Sequence, residues 1–174
     1  RGLGDVYKRQ SKSSWEAYPT DQNEVLRLTQ NQVGYSYRAV VSYIDSHGTR
    51  EVLYTSPSET IDNLDDPVQG EVTIIGEPKE GITLRALSNS LSDEDGIASI
   101  SISWETSKDG RNWVGLNSLS GPVLSLGQSL VGSQIRARVA VVDNFGIETN
   151  LFSQATRTVE NVNNKPSGRI VIRR

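Results

Sequence analysis

The side chains with chemistry to offer are carboxylates set in turns. Asp62-Asn63-Leu64-Asp65-Asp66-Pro67 gathers three of them and an amide into one short stretch. Asp93 and Asp95 lie in Ser92-Asp93-Glu94-Asp95-Gly96, and Glu80 sits in the turn sequence Gly76-Glu77-Pro78-Lys79-Glu80-Gly81. Turn carboxylates grouped this way suit a hard cation, because calcium takes about six to eight oxygens from loop carboxylates and carbonyls. The expected ligands are Asp62, Asp65 and Asp66, with Asp93, Asp95 and Glu80 as co-ligands if their loops lie at the same end of the fold. The EF-hand spacing Asp-x-Asp-x-Asp-Gly is absent. As acid/base pairs for glycoside hydrolysis, Asp65/Asp66 and Asp93/Asp95 lack the apolar neighbours that would raise one pKa above the other.

Other chemistry falls away quickly. The chain of 174 residues has no Cys, which excludes disulfides, thiolate zinc sites and a thiol nucleophile. His47, the one histidine, lies in the turn Asp45-Ser46-His47-Gly48. No Gly-x-Ser-x-Gly elbow occurs, and Gly76 to Gly81 lacks the Gly-Lys-Ser/Thr of a phosphate loop. The net charge of -3 gives no electrostatic footprint for nucleic acid. No apolar run approaches the roughly 18 residues of a membrane span. The chain is expected not to be an enzyme, and to make no nucleic-acid or membrane contact.

What positions the acidic turns is an internal repeat. Shifting the chain by 98 residues lays Trp15 on Trp113, and a gap-free comparison of residues 15–76 with 113–174 finds 17 identities in 62 positions. Val25-Leu26-x-Leu28-x-Gln30 matches Val123-Leu124-x-Leu126-x-Gln128. Val33-Gly34, Arg38-Ala39-x-Val41 and Asp45-x-x-Gly48 match Val131-Gly132, Arg136-Ala137-x-Val139 and Asp143-x-x-Gly146. Chance would give about one identity in 15–20, so the chain is a window on a tandem array. Because Phe145 stands at the position of His47, that turn does not require imidazole.

The array divides into the C-terminal half of one repeat over 11–65, a complete repeat over 66–163, and the first strand of a third over 164–174. In the complete repeat, Ile82, Leu84 and Ala86, then Ile100, Ile102 and Trp104, then Ile135, Ala137, Val139 and Val141 alternate with polar residues. Period two with one apolar face is the pattern of half-buried strands. Lys108-Asp109-Gly110 and Asp143-Asn144-Phe145-Gly146 supply turns. The last strand is expected over about 148–159. Some seven short strands in about 100 residues predict an all-β, tandem immunoglobulin-like sandwich with Trp104 in its core.

Residues 1–10 match nothing downstream. Asp5-Val6-Tyr7-Lys8-Arg9-Gln10 back-translates to GAT-GTG-TAT-AAG-AGA-CAG, which resembles a transposon-end adapter used in shotgun sequencing. Residues 1–10 are therefore set apart as an adapter-derived scar outside the fold.

Taken together, Gly70-x-Val72-x-Ile74-x-Gly76, Leu91-Ser92-Asp93-x-Asp95-Gly96, Ser107-x-Asp109-Gly110-x-x-Trp113 and Val131-Gly132-x-x-Ile135-Arg136 resemble the tandem Ig-like or cadherin-like repeats of large bacterial surface adhesins and biofilm-associated proteins. The junction Asn161-Val162-Asn163-Asn164-Lys165-Pro166-Ser167-Gly168 is similar to the linker of those repeats, Asn-Val-Asn-Asp-x-Pro-x-Gly, with Asn163-Asn164-Lys165 departing from its acidic character. The resemblance covers residues 13–174. It implies a non-catalytic extracellular or cell-surface spacer, with calcium at the linkers. Its partners would be adjacent repeats and, through other domains, a host or matrix surface. The alternative from another class is an accessory carbohydrate-binding module of a secreted hydrolase, with Trp15 and Trp113 as stacking platforms.

Overall fold

The computed structural model describes residues 3–10, 14–19, 25–169, 171 and 172. The chain divides into two units at Asp65/Asp66. Both are built from strands, with single turns of 3₁₀ helix at Gln30–Gln32 and Gln128–Leu130.

The second unit is an immunoglobulin-like β-sandwich. Its first sheet comprises β5 (Thr73–Ile75), β6 (Thr83–Leu87) and β9 (Val123–Ser125), in the order β5-β6-β9. Its second comprises β7 (Ile97–Ser107), β8 (Val114–Ser120), β10 (Gln134–Asp143) and β11 (Glu148–Phe152), in the order β11-β10-β7-β8. All ladders are antiparallel. Strands far apart in sequence are neighbours, β6 with β9 and β7 with β10, as a two-sheet sandwich requires.

The alternation read from the sequence produces the core. Ile135, Ala137, Val139 and Val141 on β10 are buried, as are Leu84, Ala86, Leu124, Leu126 and Trp104. Trp104 pairs with Ala137 across the β7–β10 ladder, so the largest core side chain faces one of the smallest. Its indole Nε1 donates to the Gly121 carbonyl at 2.9 Å, which satisfies the one polar atom it carries inward. Ile100 departs from the expected pattern and is partly exposed. β7 runs eleven residues while the opposing strands have three to five, so its N-terminal part outruns the cover.

The expected last strand is also shorter, ending at Phe152. Beyond it, hydroxyls replace the ladder: Ser153 Oγ accepts from the Ala137 N–H at 2.9 Å and Thr156 Oγ1 from the Ile135 N–H at 3.1 Å. Side-chain acceptors of this kind compete with regular pairing. Likewise, residues 164–169, 171 and 172 carry no strand, although a first strand is expected over 164–174. In the complete repeat β5 exists by pairing with β6, and among the described residues no equivalent partner lies beside 168, 169, 171 and 172.

Among the described residues the first unit is a single sheet of the same plan. β3 (Tyr35–Ile44) and β4 (Arg50–Tyr54) stand where β10 and β11 stand 98 residues later. The hydrogen bonds repeat with the sequence. Ala39 N–H donates to Thr55 Oγ1 at 3.0 Å, and Tyr37 N–H to Ser58 Oγ at 2.9 Å. Asp45 Oδ1 accepts from the amides of His47 and Thr49, as Asp143 Oδ1 does from Phe145 and Ile147, all at 2.8 Å.

Residues 1–10, expected to lie outside the fold, require a correction. Leu3–Gln10 forms β1, antiparallel to β3, and Glu16–Tyr18 forms β2 on its other side, giving the order β2-β1-β3-β4. β1 holds the place that β7 holds in the complete repeat: Val6 pairs with Ala39 as Trp104 pairs with Ala137. The reason is general. The edge of β3 offers a row of backbone donors and acceptors, and an extended segment of almost any sequence pairs with it.

The Lys108–Gly110 turn carries a pH signature. Asp109 Oδ1 accepts from the amides of Asn112 at 2.8 Å and Arg111 at 2.9 Å and from Ser107 Oγ at 3.0 Å, while Oδ2 accepts from Asn112 Nδ2 at 2.6 Å. These donors, the Asn112 amide first, hold the Asp109 carboxyl well below the usual aspartate range. A depressed folded pKa means that the turn is stabilised above the unfolded value of about 3.9 and loses that support only as pH falls toward the lower folded value. A carboxyl-detected NMR titration should find Asp109 still ionised below the pH at which an unperturbed aspartate, of pKa about 3.9, has protonated. An Asp109 that titrates at that ordinary value would refute this.

Candidate metal centre

β10 carries its inward alternation one step past the apolar core. After Val139 and Val141 the next inward position is Asp143, 5% exposed, at the end of the strand. The turn before β7 brings Asp95 to the same place. Asp93 Oδ1 accepts the Asp95 N–H at 2.8 Å and the Asp93 carbonyl accepts the Gly96 N–H at 3.1 Å, a tight turn that aims Asp95 inward. Gly96 closes it at φ +79°, a left-handed conformation that other residues rarely adopt, and the Asn144 side chain lies over the space a Cβ would take, its Nδ2 2.1 Å from that position.

Asp95 is 3% exposed. Its Oδ2 accepts the Asp66 N–H at 3.0 Å, and its Oδ1 is buried without a hydrogen-bond partner. Oxygens of Asp95 and Asp143 lie within 4.8 Å of each other. Two buried carboxylates this close repel, and a buried acceptor without a donor is costly. A cation between them removes both costs at once.

The expected ligands separate under this geometry. Asp95 is in the site. Asp66 enters it with its backbone N–H. Asp93 is engaged in shaping the turn. Asp62 is exposed on the stretch that ends the first unit. Glu80 does not join Asp95. Its carboxylate accepts the Val162 N–H at 3.0 Å, and its own N–H donates to the Glu160 carbonyl. That is the end of the sandwich where β10 begins, where Gly132 N–H donates to the Val159 carbonyl. Ten strand residues put it roughly 30 Å from Asp143. The turn at Gly76–Gly81 and the turn at Asp93–Gly96 lie at opposite ends of the sandwich, which local sequence does not state. Asp143, absent from the expected set, was legible as the fifth inward position of an alternating strand.

The recurring tryptophans are packed. The Arg136 guanidinium lies 4.3 Å from the ring centres of both Trp113 and Phe152 and meets Glu105 at 2.6 Å. Arg38 repeats this between Trp15, at 4.4 Å, and Tyr54, at 4.6 Å. Each arginine is held between two aromatic faces by cation–π attraction. Arg136→Ala should therefore cost about 1–2 kcal/mol, since it removes two cation–π contacts and leaves Glu105 unpaired. Arg136→Lys should recover only part of this, because an ammonium cannot stack as a plane. Equal melting temperatures for all three proteins would contradict it.

No family model matches the chain, and no curated protein matches it. Among solved structures, the chain is similar to a crystal structure of consecutive domains from titin, with a TM-score of 0.36 and 10% identity over 91% of this chain. It spans 59% of that titin chain.

A hollow of about 330 Å³ beside the β7–β8 turn is lined by Lys108 and Asp109 among others. Lys108 Nζ donates to the Val131 carbonyl at 2.9 Å, and Asp109, held ionised by its four hydrogen bonds, is a poor base.

Proposed function

We propose that the chain is a non-catalytic spacer segment of a large bacterial surface or secreted adhesin, acting outside the cell. In this reading immunoglobulin-like repeats stacked in series hold a binding domain at a distance. The observation that carries it is the hydrogen-bond pattern recurring at 98 residues across two strand-built units. A unit repeated with its turns and loop acceptors intact suits a linear array, in which each repeat answers to its neighbours. The immediate partners are therefore adjacent repeats of the same chain. A host or matrix surface would be met by other domains.

Calcium would stiffen this array at the acidic end of each complete repeat. Asp95 and Asp143 would hold the ion, and the chain entering through Asp65-Asp66 would follow it. The orphaned Asp95 Oδ1 and the close approach of Asp143 support that choice. Extracellular calcium modules bind with Kd of about 10⁻⁴–10⁻³ M. A site at the tight end of that range, in calcium at a hundredfold excess, would gain about 2.7 kcal/mol.

The test is titration calorimetry and thermal melting with calcium and with magnesium, on the parent chain and on Asp95→Asn. The parent should bind calcium and melt higher, magnesium should do neither, and Asp95→Asn should lose the shift. A parent without a calcium-specific shift would remove the cation from the reading. The spacer role has its own test in the complete gene, which should encode further repeats of about 98 residues. A catalytic domain flanking this segment would favour the carbohydrate-binding alternative.

A further inference from the structure

The end of the sandwich opposite Asp95 is closed in a different way. The chain leaves β11, returns along β10 and exits through residues 159–165. Val159 and Glu160 are tied by backbone alone: Val159 N–H donates to the Ser133 carbonyl and Glu160 N–H to the Pro78 carbonyl, each at 2.8 Å. The next tie is a side chain. Glu80 Oε2 accepts the Val162 N–H at 3.0 Å, and Glu80 Oε1 lies 3.5 Å from Asn164 Nδ2, which also donates to the Val162 carbonyl at 3.1 Å. The Gln128 amide lies between Asn161 and Glu80. Turned with its nitrogen toward the carboxylate, it donates to Oε1 at 2.8 Å. One partly buried carboxylate thus collects three donors from the exit segment and the 3₁₀ turn.

We propose that Glu80 is a clamp that fixes the path of the chain leaving the complete sandwich, and that it does so with amide donors in place of a cation. A carboxylate accepting several N–H bonds is satisfied without a metal, and bonds to a charged acceptor are the stronger kind. The residues at this exit fit that role. Asn164 stands at the repeat position of Asp66, and Asn163 at that of Asp65. An aspartate at 164 could not donate to Glu80 and would repel it. The Asn164 amide is the residue that lets this end close without a cation. The chain would then alternate two kinds of junction, an acidic one that needs an ion and an amide one that does not. The meaning of that alternation for the array rests on the spacer reading, while the clamp rests on its own contacts.

Amide hydrogen exchange resolved by residue tests it on the whole chain. The Val162 amide should be protected, and a chelator should leave its rate unchanged. Glu80→Ala should accelerate Val162 exchange by about tenfold or more, the scale of a bond to a charged acceptor. Val159 and Glu160 should keep their rates, since their acceptors are backbone carbonyls. Glu80→Gln retains an acceptor oxygen and should recover part of the protection, whereas Asn164→Asp should lose it. Three results would overturn the clamp: a Val162 amide already unprotected in the parent, equal acceleration at Val159, Glu160 and Val162 in Glu80→Ala, or loss of protection on chelation alone. The outcome is separate from that of the calcium titration, because it is read at Val162 and not at the Asp95 end.

Discussion

Trp104→Ala should destabilise the complete sandwich by about 3–5 kcal/mol, the cost of deleting a large aromatic side chain from a packed core. Three features place it there. Trp104 has no exposed surface, it lies in the contiguous cluster with Leu84, Leu124, Ile135, Ala137 and Val139, and its Nε1 is bonded to the Gly121 carbonyl. Alanine loses the burial and the hydrogen bond together, and leaves the Gly121 carbonyl facing a void. Domains of this size have about 5–15 kcal/mol in all, so the variant sits near the edge of folding. Ser103→Ala, the neighbour on the opposite face, is the control. Ser103 is half-buried and its hydroxyl makes one long contact, 3.4 Å to the Arg138 carbonyl, so the change should stay within about 0.5 kcal/mol. Urea denaturation of the three proteins decides it. Similar losses for both variants would mean that the inner and outer faces of β7 are not as described.

The difference between those two neighbours is the part of the fold that the sequence states most clearly. An apolar/polar alternation has only two phases, and Ile135 to Val141 fix the phase of β10, which then fixes β7 through its ladder. The repeat was equally readable, because every matched turn and loop acceptor recurs at one spacing. The candidate cation site was readable in part. Asp95 followed from its acidic turn, and Asp143 was available from the alternation, but its place in the turn Asp143–Gly146 made it look like turn chemistry alone. It has both uses: Oδ1 closes the turn while the carboxylate also approaches Asp95. The position of Glu80 was not readable. Which end of a sandwich a turn occupies depends on the direction of each strand, and that is set by pairings between residues far apart in sequence. β1 is not legible in the sequence for a related reason. Its own pattern says little, and its strand is imposed by the open edge of β3.

The two units offer a matched comparison of one hydrogen bond in two surroundings. Ala39 N–H donates to Thr55 Oγ1 at 3.0 Å, and Ala137 N–H donates to Ser153 Oγ at 2.9 Å. Donor, acceptor type and repeat position agree, so the local bonds alone predict similar exchange. The packing around them does not agree. Val139 and Val141 are 0% and 1% exposed beneath the β5-β6-β9 sheet, whereas their equivalents Val41 and Tyr43 are each 41% exposed and Leu53, beside Val41 on β4, is 58% exposed. A fully buried side chain of this size contributes about 1.5–3 kcal/mol, and the first unit gains only part of that at each position. Opening the Ala137 bond requires opening the sandwich; opening the Ala39 bond requires separating strands of one sheet. Exchange at Ala137 should therefore be slower than at Ala39 by about a thousandfold or more, the difference between global and sub-global opening. Trp104→Ala should shrink that gap by accelerating Ala137 and leaving Ala39 unchanged. If the two alanines exchange at similar rates in the parent chain, the burial of the β10 face is not what stabilises the complete repeat.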